Sequence, residues 1–477
     1  MKKSLLLASA LLVASSAFAV VRDGAKLENV TVGANTYSIT NRWIVDLNHD
    51  MAAYQALPLN NTSYRTACIA GDYILVAGWP KENYTTAEGE EKNDGVAHLL
   101  KFKLSDGQLV SDVKLTLDGA LHVGTGAANQ IGCDNFGNVW IADMCFDTGK
   151  SAINLYLVDV ETGVLTALPT VDPLNVGGET ASTAAVRMDY CNIIGDITAT
   201  EAPARFMCAF NTDCLALCRA VREQGTDEWA GDFDGYFYLD PTAIEETYPM
   251  VTNEETGEVK PQTSWGTAPM VCMINEGEFL GENFYVDGFV TAPVIYNISG
   301  AIIDGFANKT DLAPALGTNG VSEFCIGNDN FLVYSMAQYD KDPGCQARIA
   351  CFGESFDYAN LTSCWEIPQA GLGMTSDGGT RAHCLVTKEY TDENGNIGIY
   401  VLTYKCYNGM GVYVVAQEGF KDEPLPDYPE EGGVEGIAAD NNVAPVYFNL
   451  QGVRVDNPQN GLYIVKRGNE VAKQIIR

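Results

Sequence analysis

The sequence predicts an all-β fold in which similar units of four strands repeat along most of the chain. Helical periodicity is almost absent, and a cysteine on a short apolar strand, followed by a turn and a second apolar strand, recurs six times. The recurring cysteines are Cys68, Cys133, Cys208, Cys272, Cys325 and Cys384. They are about 63 residues apart on average, and a four-stranded blade takes about 40 to 50 residues plus loops. The repeat therefore predicts a β-propeller with six blades. Five or seven blades remain open, because residues 220–264 show little clear repeat.

Each unit also contains a hairpin that supplies its two outer strands. In the first unit, strands at 96–104 and 113–117 flank the turn Ser105-Asp-Gly107. The same order returns in the second unit around Glu161-Thr-Gly163. An acidic residue and a glycine between two apolar strands are typical of a tight hairpin. Each unit is therefore expected to have four strands.

The last unit has one strand too few. After Cys384, only segments 397–406 and 411–415 have the pattern of strands before the composition changes. Near the N-terminus, Ser38–Leu47 is a strand with no neighbour of its own. A ring of blades that closes leaves no open sheet edge. We therefore predict that the propeller, residues 30–417, is closed by this N-terminal strand pairing with the last blade.

The first 19 residues have the pattern of a secretory signal. Met1-Lys2-Lys3 is basic, and residues 4–16 are apolar or small. Ala17-Phe18-Ala19 has small residues at the two positions that a signal peptidase recognises before its cleavage site. The apolar run is shorter than the roughly 20 residues of a spanning helix. The pattern predicts an extracytoplasmic protein, secreted or at the cell surface, without membrane insertion.

Composition excludes one class of partner. The chain has 62 Asp and Glu against 29 Lys and Arg, a formal net charge of −33, and no basic run. Such a charge repels the phosphate backbone, so nucleic acid is not an expected partner. The 46% of apolar residues is that of a globular protein with a sizeable core.

Two further segments follow the repeats. Residues 418–442 are acidic and rich in Pro and Gly, which is typical of an extended linker. Residues 443–477 contain three apolar segments separated by polar turns at 456–460 and 468–469. They predict a small β meander.

The final segment resembles the C-terminal sorting-type modules of exported Bacteroidota proteins. The matching residues are Asn449, Leu450, Gly452, Arg454, Val455, Gly461, Tyr463 and Ile464. The remainder of the chain is similar to secreted β-propellers of unknown function from those bacteria. The resemblance implies a protein displayed at, or released from, the cell surface, with the secretion or surface-attachment machinery as a partner.

The 14 cysteines are an even number, which permits disulfides without requiring them. Residues at one equivalent position of each blade cannot meet across the ring, so the recurring cysteines are expected to be free thiols that pack between blades. Cys351 and Cys364 lie on successive predicted strands and could be neighbours. Free thiols are the expectation there too.

Metal and cofactor motifs are weak. The four histidines are scattered without a paired spacing. Asp134-Asn-Phe-Gly-Asn138 and Asp392-Glu-Asn-Gly-Asn396 resemble oxygen-rich calcium loops, but neither has the acidic ligand that closes such a loop. Hairpin turns are the simpler interpretation. No cofactor is predicted, and calcium stays open.

Three arginines stand three residues before a recurring cysteine: Arg65, Arg205 and Arg381. If these strands are innermost, the arginines could line the central channel and form an anion site. The alternative is pairing with local Asp or Glu.

No nucleophile elbow, phosphate loop or dinucleotide motif is present. The leading hypothesis is an exported, non-enzymatic propeller that binds a glycan or protein partner on its loop face. The alternative is a glycan-cleaving hydrolase or lyase, because loops distant in sequence can bring two carboxylates together at the channel mouth. A purely structural surface component is the third hypothesis.

Overall fold

The structure is a computed structural model. It describes residues 27–49, 51–59, 61, 63–86, 88–173, 187–211, 216–238, 251–252, 256–257, 259–260, 265–275, 281–289, 291–314, 319–336, 344–374, 382–417, 419–421, 446–448, 454–455, 461–467 and 470–476. The chain divides into two units, Met1–Pro426 and Asp427–Arg477.

The first unit is built almost entirely from short strands. Those up to residue 167 are β1 (Val30–Val32), β2 (Asn35–Asp46), β3 (Thr66–Ala70), β4 (Tyr73–Gly78), β5 (Tyr84–Thr85), β6 (Glu91–Lys92), β7 (His98–Lys103), β8 (Leu109–Lys114), β9 (Thr116–Leu117), β10 (Ala120–Leu121), β11 (Gln130–Cys133), β12 (Val139–Ala142), β13 (Leu155–Val158) and β14 (Val164–Ala167). One helix, α1 (Met51–Gln55), precedes β3.

The strands continue with β15 (Cys191–Ile194), β16 (Ala204–Ala209), β17 (Ala216–Arg222), β18 (Ala230–Tyr238), β19 (Val251–Thr252), β20 (Val259–Lys260), β21 (Met270–Met273), β22 (Asn283–Gly288), β23 (Thr291–Asn297), β24 (Ile302–Asp304), β25 (Val321–Ile326), β26 (Asp329–Ser335), β27 (Ala347–Gly353), β28 (Thr362–Ile367), β29 (His383–Thr391), β30 (Ile397–Lys405) and β31 (Gly409–Gln417). Short 3-10 turns lie at Phe306–Asn308, Thr310–Leu312 and Tyr358–Asn360.

These strands form six blades, which confirms the predicted propeller. From the inner strand outward the blades are β3-β4-β7-β8, β11-β12-β13-β14, β15-β16-β17-β18, β21-β22-β23-β24, β25-β26-β27-β28 and β29-β30-β31-β2. Within each blade, neighbouring strands are antiparallel. The poorly repeating stretch, residues 220–264, supplies the end of β17 and the whole of β18 in blade 3, and β19 and β20 form a small separate hairpin.

The N-terminal strand closes the ring, as the sequence predicts. β2 pairs with β31 from Tyr37 opposite Gln417 to Asp46 opposite Gly409, and β1 adds a fifth strand outside it. Blade 6 therefore consists of strands from both ends of the propeller.

The inner strands are joined around the ring by side chains. Five of the six neighbouring pairs share a bond from a polar side chain to backbone or to a second side chain: Thr66 to Ile131 N, Gln130 to the backbone of Cys191, Asn192 to Met273 N, Glu323 to Asn275 N, and Thr387 to Glu323 O. Cys384 completes the ring, since its Sγ donates to Ala67 O at 3.2 Å. These bonds fix the inner strands against one another.

The hydrophobic core consists of layers between adjacent blades. Because successive side chains on a strand point to opposite faces, each middle strand contributes to two layers. Phe206 packs towards blade 2 and Met207 towards blade 4. Phe284 likewise packs towards blade 3 and Tyr285 towards blade 5. The same alternation explains why almost all central-strand residues are apolar.

One assignment from the sequence is wrong. Cys208 lies on β16, the second strand of blade 3, whereas the cysteine of its inner strand is Cys191 on β15. Both segments have a cysteine on a short apolar strand followed by turn residues, so the pattern alone does not separate them. Arg205 lies on the same strand as Cys208, β16, and is therefore not on an inner strand.

The described cysteines are free thiols. Most lie in the layers between blades, as expected; Cys68, Cys351 and Cys384 are examples. Cys351 and Cys364 lie on adjacent strands β27 and β28 and are both free. Cys214 lies outside the described residues.

The described residues of the second unit form four strands, β32 (Val446–Phe448), β33 (Arg454–Val455), β34 (Gly461–Arg467) and β35 (Glu470–Ile476), in the sheet order β33-β32-β34-β35. The described part of the chain contains no helix long and apolar enough to cross a membrane.

Candidate functional site

The six inner strands all begin at one end of the ring, which we call the entrance. Segments that precede these strands converge there, since the inner strands of a propeller surround its axis. Arg65 directly precedes β3, Asn129 precedes β11, and Asp189 lies two residues before β15. These three residues, from three successive blades, are in mutual contact.

Asp189 is the centre of this polar cluster, and its side chain is fully buried. Its carboxylate accepts hydrogen bonds from Arg187, at 2.8 Å from Nε and 2.5 Å from Nη2, and from Arg65 Nη1 at 3.2 Å. Asn211 Nδ2 lies 3.4 Å from the second oxygen. Two guanidinium groups compensate the buried charge. Asp189 is therefore an anchor for two arginines rather than a free acid or base.

Arg65 is held from several sides. Its Nη1 also donates to Asn129 Oδ1 at 3.2 Å, and its guanidinium lies over the ring of Trp79, 5.0 Å from the centroid. Asn129 Nδ2 in turn donates to the backbone carbonyl of Asp189 at 2.5 Å. Arg65 thus connects blade 1 with blade 3 across the start of blade 2.

Tyr190 spans the entrance. It precedes β15 of blade 3, and its hydroxyl accepts a hydrogen bond at 3.1 Å from the backbone N–H of Ala382, which precedes β29 of blade 6. Blades 3 and 6 stand opposite each other in a ring of six. Tyr190 is fully buried, so this bond links opposite blades away from solvent.

The outer layer of the cluster is open to solvent. The Arg187 side chain is 35% exposed, and its guanidinium lies over the ring of Phe146, 5.9 Å from the centroid. Phe146 is 52% exposed. A Cβ at Gly126 would lie 3.1 Å from the Phe146 ring, and Gly126 has a φ of +89°. Glycine at this position leaves room for the ring, which forms a flat apolar surface beside a cation.

A second carboxylate at the entrance belongs to Asp143, which follows β12. His122 Nε2 lies 2.9 Å from its Oδ1, Ala128 N donates to the same oxygen at 2.8 Å, and Tyr156 donates to Oδ2 at 3.0 Å. Burial, together with the charge of Asp143, raises the pKa of the Tyr156 hydroxyl above its ordinary value. The hydroxyl therefore stays protonated and remains a donor to Asp143.

A third carboxylate, that of Asp287, lies at the end of β22 and is completely buried. Its Oδ2 accepts from Gly320 N at 2.8 Å, and its Oδ1 has no hydrogen-bond partner. Burial raises the pKa of Asp287 to about 8, because the anion would be removed from water without a compensating cation. Asp287 is therefore a neutral acid at neutral pH. Each of these three carboxylates is thus anchored by hydrogen bonds or buried.

Of the two predicted arginines that the structure describes, Arg65 lies in this cluster and Arg205 does not. Arg65 is paired with Asp189 of blade 3, which is 124 residues away in the chain. Arg205 lies opposite Ile194, at the end where the inner strands finish, and donates to Gly281 O at 3.1 Å. Arg381 lies outside the described residues.

Of the residues predicted for the sorting motif, Arg454 and Val455 lie on β33, and Gly461, Tyr463 and Ile464 lie on β34. Asn449, Leu450 and Gly452 lie outside the described residues.

Sequence reasoning missed Arg187, Asp189 and Phe146. The signal was present in the stretch Arg187-Met-Asp189-Tyr-Cys191, which places charged residues just before an inner-strand cysteine as Arg65 does before Cys68. Because the pattern assigns the third inner strand to Cys208 instead of Cys191, it does not predict that this stretch lies at the entrance. Phe146 has no sequence signal, since exposure of an aromatic residue depends on its neighbours in space.

The two calcium-like segments form hairpin turns at the opposite end of the ring. Asp134 Oδ1 accepts from Phe136 N at 2.9 Å and Asn138 N at 2.8 Å. Asp392 Oδ1 accepts in the same way from the N–H groups two and four residues later, at 2.8 and 2.9 Å. Each carboxylate holds its own turn together, as the hairpin interpretation predicts.

Comparison with known proteins gives a likeness of fold. No family model matches the chain, and no curated protein matches it. Among solved structures it is similar to the alpha-L-arabinofuranosidase Arb93a from Fusarium graminearum, at 12% identity and a TM-score of 0.39, over 76% of this chain and 95% of that chain. It is also similar to an endo-arabinase from Bacteroides thetaiotaomicron, at 10% identity and a TM-score of 0.31, over 77% and 98% of the chains. The polysaccharide lyase Uly1 matches at 8% identity and a TM-score of 0.34, over 74% and 90%. Identities and TM-scores this low carry no argument about ligand or reaction.

Proposed function

We propose that the chain is an exported, non-enzymatic β-propeller that binds an acidic glycan at the entrance, with Arg187 and Phe146 as the contacting residues. The observation that carries the proposal is the partly exposed side chain of Arg187 beside the exposed ring of Phe146. A guanidinium pairs with a carboxylate or sulfate group, and an aromatic ring packs against the apolar face of a sugar. The pair therefore suits a sugar that carries an anionic group.

The anchoring of Arg187 supports this role. Its Nε and one terminal nitrogen are engaged by buried Asp189, so the side chain has little freedom to lose when a ligand binds. In a chain of net charge −33, long-range electrostatics oppose an anionic ligand, so affinity must come from direct contact at this pair. Binding is therefore expected to depend on direct contact with Arg187 rather than on the long-range electrostatic potential of the protein.

Replacing Arg187 with glutamine tests the proposal. We expect R187Q to lower the affinity for uronic-acid oligosaccharides at least about tenfold, because a charge-assisted hydrogen bond contributes about 1.5–3 kcal/mol. Neutral oligosaccharides of equal length should bind weakly to both proteins. Isothermal titration calorimetry measures both affinities.

The matched control is Lys103→Gln, which removes the same charge from the exposed end of β7, at the other end of the ring. This variant should bind like the wild type. Equal binding by R187Q and the wild type would contradict the proposal. Release of shortened glycan products would favour the alternative, a glycan-cleaving hydrolase or lyase.

We also propose that residues 1–19 direct export and that residues 443–477 engage the secretion or surface-attachment machinery. The basis is the sequence pattern of both segments. In a Bacteroidota host, deletion of 443–477 is expected to retain the protein in the periplasm, and deletion of 2–19 to retain it in the cytoplasm. Cell fractionation followed by immunoblotting measures both. Unchanged surface display after deletion of 443–477 would refute a sorting role.

A further inference from the structure

Blade 3 contains a row of three cysteines on adjacent strands. Cys191 on β15 lies opposite Cys208 on β16, and Cys208 lies opposite Cys218 on β17. All three are buried in the layer between blades 2 and 3. Residues directly opposite in an antiparallel pair have side chains on the same face of the sheet, so the three thiols form one line.

The spacing of such a row permits a disulfide. Opposite residues in an antiparallel pair have Cα atoms about 4.5 or 5.5 Å apart, and disulfides join cysteines whose Cα atoms are about 4.4–6.8 Å apart. Either neighbour of Cys208 meets this requirement. A single sulfur can join only one of them, so the position of each pair in its ladder must decide which.

The strand pairing favours Cys218. Cys208 and Cys218 lie inside a continuous ladder that runs from Ala204 opposite Arg222 to Ala209 opposite Leu217. Cys191 opposite Cys208 is the last pair of the shorter ladder between β15 and β16. The Cys208–Cys218 pair is therefore held in place by paired residues on both sides.

We propose that Cys208 and Cys218 are an oxidisable pair that forms a disulfide between β16 and β17 when the chain folds in an oxidising compartment. The two thiols lose two protons and two electrons, one sulfur–sulfur bond forms, and an external disulfide of the glutathione class is reduced to two thiols. Cys191 remains a thiol beside the new bond.

Burial determines when the bond can form. Cys208 and Cys218 have no exposed surface, and burial raises the pKa of Cys208 well above its ordinary value. Exchange requires a thiolate that a partner can reach. Oxidation therefore takes place before blades 2 and 3 close over the pair, and in the folded protein the bond is shielded from reductant.

Counting thiols tests the proposal. Full-length protein, refolded with oxidised glutathione and then denatured without reductant, should offer two thiols fewer to an alkylating reagent than the 14 cysteines of the chain. Under native conditions, a phosphine reductant should leave this count unchanged. Alkylation of all 14 cysteines in the oxidatively refolded protein would refute the pair.

Peptide mapping locates the bond. Trypsin cleaves after Arg205 and Arg219, so Cys208 and Cys218 fall in one peptide, which also contains Cys214. The expected product is this peptide, lighter by two hydrogen atoms. Cys191 falls in the preceding peptide, so a cross-link between the two peptides would instead show a Cys191–Cys208 bond and overturn the assignment.

Three variants complete the test. C214S should keep the lighter peptide, and loss of the mass difference in C214S would show that Cys214 is a partner instead. C218S should abolish the bond. C364S, which removes a cysteine of blade 5, should keep it, because β28 lies away from this row.

Discussion

Replacing Trp43 with alanine is expected to lower the free energy of unfolding of the propeller by about 3–5 kcal/mol. Trp43 lies on the closing strand β2 and is 1% exposed. Its Nε1 donates to Leu104 O of blade 1 at 2.8 Å, and a Cβ at Gly107 would lie 2.8 Å from its ring. Truncation therefore opens a cavity at the point where the closing strand packs on the first blade.

Urea unfolding monitored by circular dichroism measures this effect. Trp43→Phe serves as the graded comparison, because it keeps most of the apolar volume and loses the hydrogen bond. It should cost less than alanine. An alanine variant as stable as the wild type would show that the contact between β2 and blade 1 contributes little to closure.

Asp287→Asn is expected to stabilise the propeller, and to do so more as the pH rises. The folded-state pKa is about 8 against about 3.9 in an unfolded chain. Between these values the unfolded state has released a proton that the folded state retains, so wild-type stability falls with increasing pH. The slope approaches about 1.4 kcal/mol per pH unit. An asparagine has no proton to release, and its stability lacks this dependence.

A similar contact in blade 3 supports the substitution. Asn211 follows β16, and its Oδ1 accepts from Ala268 N at 2.8 Å, just as Asp287 accepts from Gly320 N before the next blade. An asparagine side chain can therefore accept the same type of hydrogen bond from the next blade. We expect D287N to exceed the wild type by about 2 kcal/mol or more at pH 8 and to approach it near pH 4.

Urea titrations at both pH values measure the difference. Asp118→Asn, at an exposed turn position, makes the same chemical change in water and should alter stability little at either pH. A gain for D287N that is equal at the two pH values would show that the carboxyl is not held neutral by the fold.

Much of the fold could be predicted from the sequence because strand patterns are local. The alternation of apolar residues and the turn residues between them predict the hairpins. The missing strand of the last blade predicts closure by Ser38–Leu47, and β2 confirms it. The error at Cys208 has a local cause as well, since β15 and β16 have the same pattern and only pairing shows which is innermost.

The candidate site could be predicted only in small part. Arg65 was identified from its offset to Cys68, but its partner Asp189 is 124 residues away in the chain. The bond of Tyr190 to Ala382 spans 192 residues. Such contacts depend on how six blades are placed around one axis, and no local pattern encodes that placement.

By itself the sequence determined the strand repeat, the closing strand and the acidic charge, because each follows from residues that are neighbours in the chain. Tertiary structure alone decided that Asp189 is neutralised by two arginines, that Asp287 is buried as a neutral acid, and that Arg187 and Phe146 are exposed together. Burial and pairing depend on residues from different blades. Only the closed ring brings them within contact distance.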